Sequence, residues 1–221
     1  MTADPHIVSN SKRLRNISAG ELVNLCDSGV KFIRRKALRY LDGSFQVRIR
    51  GNHNSNLASQ GTVVTGCLPE KPSYLGYPSP ICMLTIVGKA SEDRPKTLLN
   101  VFERICNAKL PILVQSIDTD TASIFFPEVW AERTVETVHT IIIQNRPGLA
   151  MALRKQLAFL KIAGVESENT TKTLKKVTES FEQRKVRIAW ICTVASSTLL
   201  FVDWIEKDTA LHAVKEALKA C

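Results

Sequence analysis

Residues 81–126, "ICMLTIVGKASEDRPKTLLNVFERICNAKLPILVQSIDTDTASIFF", decide how this chain folds. "ICMLTIVG" (81–88) is a short apolar run and predicts a strand. In "PKTLLNVFERICNA" (95–108) the period changes: Leu98, Leu99, Val101, Phe102, Ile105 and Cys106 recur at helical spacing and predict a helix with one buried face. "PILVQSI" (111–117) and "TASIFF" (121–126) predict two further strands, and "EVWAERTVETV" (128–138) a second helix. The order is β-α-β-β-α.

Downstream, the same order can be traced again. "TIIIQN" (140–145) predicts a strand and "RPGLAMALRKQLAFL" (146–160) the start of a helix. "VRIAWICTV" (186–194) and "TLLFVDWI" (198–205) predict strands, and Asp208–Lys219 a last helix. The second half therefore reads as an internal repeat of one small α+β unit. The polar stretch "ESENTTKTLKKVTESFEQRK" (166–185) has helical composition and is read as an insertion.

Upstream, residues 18–41 predict two helices broken near Gly29. Ser18 is the N-cap of the first, with Glu21 three residues on completing a capping box. "FQVRIR" (45–50) alternates as a strand does, "GNHNSNLASQGT" (51–62) is a loop, and "TVVTG" (62–66) a short strand. "CLPEKPSYLGYPSP" (67–80) holds four prolines and predicts a domain boundary. The chain opens on the turn pair Asp4-Pro5 with no element before it, which reads as the continuation of something upstream.

At 221 residues, with 44% hydrophobic and 23% charged residues, the chain has the composition of a soluble globular protein. No apolar run approaches the ~20 residues that span a bilayer, and no signal-peptide core follows Met1; a cytoplasmic protein without a membrane partner is expected. Six cysteines, at 26, 67, 82, 106, 192 and 221, lack the C-x-x-C spacing of a metal or redox site. They read as buried free thiols of a reducing compartment, and no metal site is expected. The net charge of +9 is concentrated: residues 1–60 hold ten Lys/Arg against four acids. Such a patch suits phosphates, of nucleic acid or of a nucleotide. Only Phe32, Tyr40 and Phe45 fall among these charges, too few for a base-stacking surface, which argues against a nucleic-acid partner.

Four stretches in order carry a family resemblance. "TADPHIVSNSKRLRNISAGELVNLCDSGVKFIRRKAL" (2–38) resembles the closing part of the aspartate kinase catalytic domain. "VRIRGNHNSNLASQGTVVTG" (47–66) resembles its next segment. "LTIVG" with "LLNVFERICNAKLPILVQSIDT" is similar to the first of that family's two ACT modules, and "IIIQNRPGLAMALRKQL" (141–157) to the opening of the second. The resemblance implies an α+β chain of tandem ACT modules, ferredoxin-like βαββαβ units, behind a mainly helical remnant of an α/β amino-acid-kinase domain. The implied limits are 1–66 for the remnant, 67–80 for a proline-rich linker, 81–138 for the first module and 139–221 for the second.

The implied function is regulatory: the C-terminal region of the enzyme that phosphorylates aspartate on the way to lysine, threonine and methionine. The family's phosphate-cradling Lys-Phe-Gly-Gly segment is not in this sequence, so the chain alone is expected to be inactive and to hold no cofactor. ATP and Mg²⁺ would serve the full enzyme. Asp4, His6 and Lys31 match positions bordering the family's ATP site, with His6 where the family has arginine and Arg34-Arg35 where it has His-Pro. The effector, lysine or threonine, would lie against the strand-to-helix loop and the facing strand. Here those are Ser91, Glu92, Asp93 and Arg94, with Ile112, Leu113, Gln115, Ser116 and Asp118; Asn145 and Gly148 serve the second module. A helix N-terminus there offers free N–H groups to a carboxylate. Lysine-sensing relatives have aspartate where this chain has Leu113. The modules would also form a homodimer or pair with a catalytic subunit. A free-standing ACT-type amino-acid sensor, or interaction module, unrelated to a kinase is the alternative.

Overall fold

The computed structural model describes residues 2–3, 6–27, 33–38, 40–41, 44–50, 61–68, 72–88, 94–145, 149–164, 167–194 and 196–219. The chain divides into two compact units. One comprises Met1–Ser73, Ile162–Lys175 and Thr193–Thr198, the other Tyr74–Lys161, Lys176–Cys192 and Leu199–Cys221.

The first unit contains a three-stranded sheet of β1 (Asn16–Ser18), β2 (Val47–Ile49) and β3 (Thr62–Thr65) in the order β1-β3-β2. β1 runs parallel to β3 and β2 antiparallel to it. Helices α1 (Ala19–Asp27) and α2 (Arg35–Leu38) supply the rest of its core: Leu22, Val23 and Leu38 pack with Ile17, Leu41 and Val64. The capping box forms as the sequence predicts. Glu21 accepts hydrogen bonds from the Ser18 N–H (2.8 Å) and hydroxyl (2.7 Å), while the Glu21 N–H donates to Ser18 Oγ at 3.2 Å. The Ser18 N–H and then its hydroxyl hold the Glu21 carboxyl below the usual carboxylate range. This contribution to the cap is therefore complete above the unfolded-state value and is lost as pH falls through the lowered one.

The larger sheet has seven strands: β4 (Ser73–Gly76), β5 (Ile81–Val87), β6 (Val114–Ile117), β7 (Thr121–Pro127), β8 (Ala150–Ala163), β9 (Ile188–Val194) and β10 (Ser197–Asp203). Its order is β6-β7-β5-β8-β10-β9, with β4 also paired to β8. The helices are α3 (Arg94–Asn107), α4 (Ala131–Asn145), α5 (Ser167–Gln183) and α6 (Lys207–Lys219). The first run, β5-α3-β6-β7-α4, matches the sequence expectation, with one core formed by Leu84, Ile86, Val101, Ile105, Ile124, Phe126 and Val138.

The second run departs from expectation in three places. "TIIIQN" is the last part of α4, not a strand: Thr134, Val138, Ile141 and Ile142 are buried at helical spacing, and that packing overrides the β-preference of the isoleucines. "AMALRKQLAFLKIA" is strand β8, not a helix. Its Ala, Leu, Lys and Gln favour helix locally, yet Met151 and Leu153 pack on the first core and Leu157 and Phe159 on another, each pair two residues apart as in a strand, with a register shift between the pairs. The polar stretch read as an insertion is α5, with Thr173, Val177 and Phe181 buried one turn apart.

These corrections restore the repeat in a new register, with a constant interval of 76 residues (109 to 185, 125 to 201). Both α3 and α5 end in a residue of left-handed backbone, Lys109 (φ 54°) and Lys185 (φ 56°). In each, the next N–H bonds back across the turn, Leu110 to the Ile105 carbonyl (3.0 Å) and Val186 to the Phe181 carbonyl (2.9 Å). Each buries that apolar pair, the C-terminal arrangement usually built on glycine. Both β7 and β10 run into a three-residue 3-10 turn, Glu128–Trp130 and Trp204–Glu206, entered from Pro127 (φ −61°, ψ 136°) and Asp203 (φ −64°, ψ 142°).

The equivalent residues Ile81 and Leu157 are paired directly across β5 and β8, and both are fully buried. Around them Phe125, Leu199 and Phe201 form a second core with Met83, Phe159 and Trp190. The Phe125 and Phe201 ring centroids lie 4.1 Å apart, and Phe125 and Trp190 4.9 Å. In a flat sheet β7 and β10, separated by β5 and β8, would stand roughly 14 Å apart. The sheet is therefore curved, with this aromatic core in its concavity. A register shift against Ile81–Met83 helps bend it, and Gln156, opposite that shift, has φ 55°. Both Gln156 donors converge on Glu128: its backbone N–H on Oε2 at 2.9 Å and its amide on Oε1 at 2.8 Å.

The cysteines divide against expectation. Cys82 is buried, Cys26 and Cys192 are half-buried, and Cys67 and Cys106 are exposed; Cys221 lies outside the described residues. The exposed ones sit on a loop and on the outer side of α3, where local apolar sequence does not translate into burial. Burial pushes the Cys82 thiol up to about 11, with the Glu128 carboxylate adding to the effect and Lys155 opposing it.

Three outcomes are expected. Glu128→Ala leaves two donors at the bulge without their acceptor and lowers stability by about 1–3 kcal/mol in urea unfolding, whereas Glu128→Gln keeps one acceptor and costs less. Lys185→Gly relieves the left-handed strain and raises stability by about 1 kcal/mol; Lys185→Val lowers it. At pH 8 a disulfide reagent labels Cys67 and Cys106 rapidly, while Cys82, protonated and enclosed, reacts only once the chain is unfolded, as peptide mapping of the labelled sites will read.

Candidate functional site

The first run of the larger sheet gathers three connections at one end. Val87 closes β5 and pairs with Thr121 on one side and Ala150 on the other. The Gly88 N–H donates to the Asp120 carbonyl at 3.0 Å, so the chain leaving β5 starts beside the β6–β7 turn. Arg94, the first residue of α3, and Asn145, the last of α4, mark the return of the chain to this end. Two segments that connect these elements, 89–93 and 146–148, contain Ser91, Glu92, Asp93 and Gly148; these four lie outside the described residues, as do Asp4 and Lys31.

The described site residues fall into two groups. Ile112 and Leu113 are structural: Ile112 packs on the core under α3, and Leu113 packs in the aromatic concavity with its N–H donating to the Phe125 carbonyl at 2.8 Å. Gln115, Ser116 and Asp118 are accessible, wholly or in part. Gln115 is exposed on β6, which stands at one margin of the sheet. Asp118 is exposed in the turn. Its N–H donates to the Thr121 carbonyl at 2.8 Å, and its Oδ1 accepts the Thr119 N–H at 2.7 Å, so the carboxylate is held at the rim by the turn it builds. His6 is exposed ahead of β1, in the first unit.

Two residues escaped the sequence reading. Ser116 pairs with Ser123 on β7, and Ser123 with Thr85 on β5, with Ser123 Oγ and Thr85 Oγ1 3.4 Å apart. This hydroxyl row crosses the sheet between the aromatic core, at Phe125, and the turn end, at Thr121. Its sequence signal is a single hydroxyl residue inside each apolar run, Thr85 in "MLTIV" and Ser123 in "TASIFF", visible only once the strands are in register.

The register also aligns "GKASEDR" (88–94) with "GVESENT" (164–170). Glycine, serine and glutamate recur at equivalent places, with Asp93 matched by Asn169. The motif stayed hidden because the second run was read out of register, with "QNRPGL" taken as the counterpart loop. "QNRPGL" instead links α4 to β8. A site with a helix N-terminus, a carboxylate at its rim and neighbouring hydroxyls suits a zwitterion: the helix end suits a carboxylate, the acid an ammonium. Among the described residues no group of three His, Cys, Asp or Glu could hold a metal ion, and no helix is long and apolar enough to cross a membrane.

No protein-family model matches the sequence. It is 21% identical over 229 aligned positions to an aspartokinase of Corynebacterium glutamicum, which covers 97% of this chain and 53% of that protein. The chain thus spans about half the length of that relative. Its structure is similar to that of an aspartate kinase from Synechocystis, with TM-score 0.77 and 16% identity over 99% of this chain and 40% of that one. It is also similar to the ligand-free regulatory subunit of aspartate kinase from Thermus thermophilus, with TM-score 0.54 and 17% identity over 65% of this chain and 95% of the subunit. At such identities the structural likeness concerns the fold. The sequence likeness to an aspartokinase runs along nearly the whole of this chain.

Proposed function

We propose that this chain is the regulatory part of an aspartokinase. In this reading the two β-α-β-β-α runs are tandem ACT modules, and the first unit is the closing segment of a kinase domain. The modules bind a free amino acid, lysine or threonine, and pair with a second copy or with a catalytic subunit in the cytoplasm. ATP and Mg²⁺ as reactants belong to the whole enzyme, which phosphorylates the side-chain carboxylate of aspartate; this chain by itself carries out no transfer and takes no nucleic acid or membrane.

The observation that carries the reading is the match along 97% of the chain to an aspartokinase. The likeness to a separate regulatory subunit over 95% of that subunit's length supports the division of labour. The effector end supports the ligand class: Asp118 stands at the rim beside the segment leading into α3. Leu113 lies in the aromatic core and offers no charge to a lysine side chain, so threonine fits this end better than lysine.

Titration with the twenty amino acids, read by thermal melting and calorimetry, tests the reading. A ligand at about 100 times its dissociation constant stabilises by about 2.7 kcal/mol. For a chain of this size each kcal/mol raises Tm by about 2–4 °C. Asp118→Asn keeps the acceptor for the Thr119 N–H but removes the charge; it is expected to leave the unliganded Tm within a degree or two and to weaken the effector about tenfold or more. If none of the twenty at millimolar concentration moves the transition, the sensing role is wrong.

A further inference from the structure

The first unit holds a concentration of charge that the regulatory reading leaves without a use. Arg13, Arg15 and Arg48 line an open cavity of about 480 Å³, floored by Asn16, Gly61 and Val63. The strand register explains why they meet. Val63 is paired with Asn16 on one side and Arg48 on the other, so these three present one face of the small sheet. Ile17 and Val64, one residue on, turn the opposite face into the core. The Val63 N–H holds the Arg15 carbonyl at 2.9 Å, fixing the segment that delivers Arg13 and Arg15. Arg48 Nη2 donates to Gln46 Oε1 at 3.2 Å.

Gly61 completes the cradle. A Cβ there would come within 2.4 Å of the Ile49 carbonyl and 2.8 Å of the Cγ atoms of both Arg48 and Arg50. The arginine stems occupy the space a side chain would need, so their closeness depends on this glycine. No acidic residue is among the described residues lining the cavity. Three guanidinium groups around one concavity make it favourable to an anion, and their planar forks match phosphate oxygens bidentately. The cavity has the volume of a small-ligand site, and among the described residues no aromatic side chain lines it for base stacking.

We propose that Arg13, Arg15 and Arg48 form a binding site for a small polyphosphate anion, either free or carried by a nucleotide. The proposal stands apart from the amino-acid site, which lies in the other unit.

Calorimetric titration of the full chain with inorganic tripolyphosphate, ATP and AMP is the test. Tripolyphosphate and ATP are expected to bind at least tenfold tighter than AMP, because a single phosphate cannot engage three guanidinium groups. Equal affinity for the first two identifies the phosphate chain as the ligand, and tighter ATP identifies a nucleotide; both support the site. Arg48→Ala and Arg15→Ala are each expected to weaken tripolyphosphate about tenfold. Arg48→Lys weakens it too, since a point charge cannot fork, while Lys215→Ala on α6 leaves it unchanged. Should Arg48→Ala lower the melting temperature, Arg15→Ala, outside the strands, carries the comparison. The proposal is overturned if tripolyphosphate fails to bind at millimolar concentration, or if the arginine variants bind it as the parent does. It is equally overturned if single-stranded DNA binds tighter than tripolyphosphate with affinity rising with length, which would make the surface a nucleic-acid track.

Discussion

Ile81 and Leu157 face each other across the seam between β5 and β8, and the larger sheet is organised around that contact. The two residues hold equivalent places in the two runs, so each run joins the other through its own first strand. The seam brings Phe125 and Phe201, also equivalent, to 4.1 Å, and this requires the sheet to curve. Curvature in turn requires a change of register along β8. Side chains on a strand alternate between faces, and a slip of one residue would turn the whole second part of β8 inside out. The irregularity at Gln156, clamped by Glu128, lets Met151 and Leu153 serve the first core and Leu157 and Phe159 the aromatic one. One glutamate and one glutamine thus decide which side chains of a fourteen-residue strand face which core.

The two polar features lie at places that this packing leaves free. The turn end of the first run lies at the Val87 end of β5, the opposite end from Ile81, where hydroxyls replace aromatic side chains and a turn carboxylate forms the rim. The arginine cavity uses the outer face of a small sheet whose inner face is committed to its own core. Under the regulatory reading, an effector shifts the enzyme only by binding one arrangement of the modules better than another. Residues at the end of the sheet away from the Ile81–Leu157 contact are well placed for that, because their neighbours can change without breaking the seam.

Much of the architecture was legible in the residues. The first run announced itself through apolar runs of strand length and a clean helical stripe in α3; the Ser18–Glu21 capping box and the strand at Val47–Ile49 were equally local signals. Where the reading failed, long-range packing had overridden local preference. Ile141, Ile142 and Ile143 look like a strand but continue α4, because helical spacing buries the first two. The Ala-, Leu- and Lys-rich β8 looks like a helix but is held between neighbouring strands, whose backbone partners come from distant parts of the chain.

The sequence by itself determined the α+β class, the existence of a repeat, the family resemblance and the concentration of positive charge near the start. Each is a property of composition, local periodicity or ordered motifs. Tertiary structure alone decided the register of that repeat, the curvature of its sheet, and the meeting of Arg13, Arg15 and Arg48 around Gly61. Those depend on which backbone groups hydrogen-bond across tens of residues. Pairing of that kind is set by the combined burial of many side chains and leaves no mark on any short stretch of the chain.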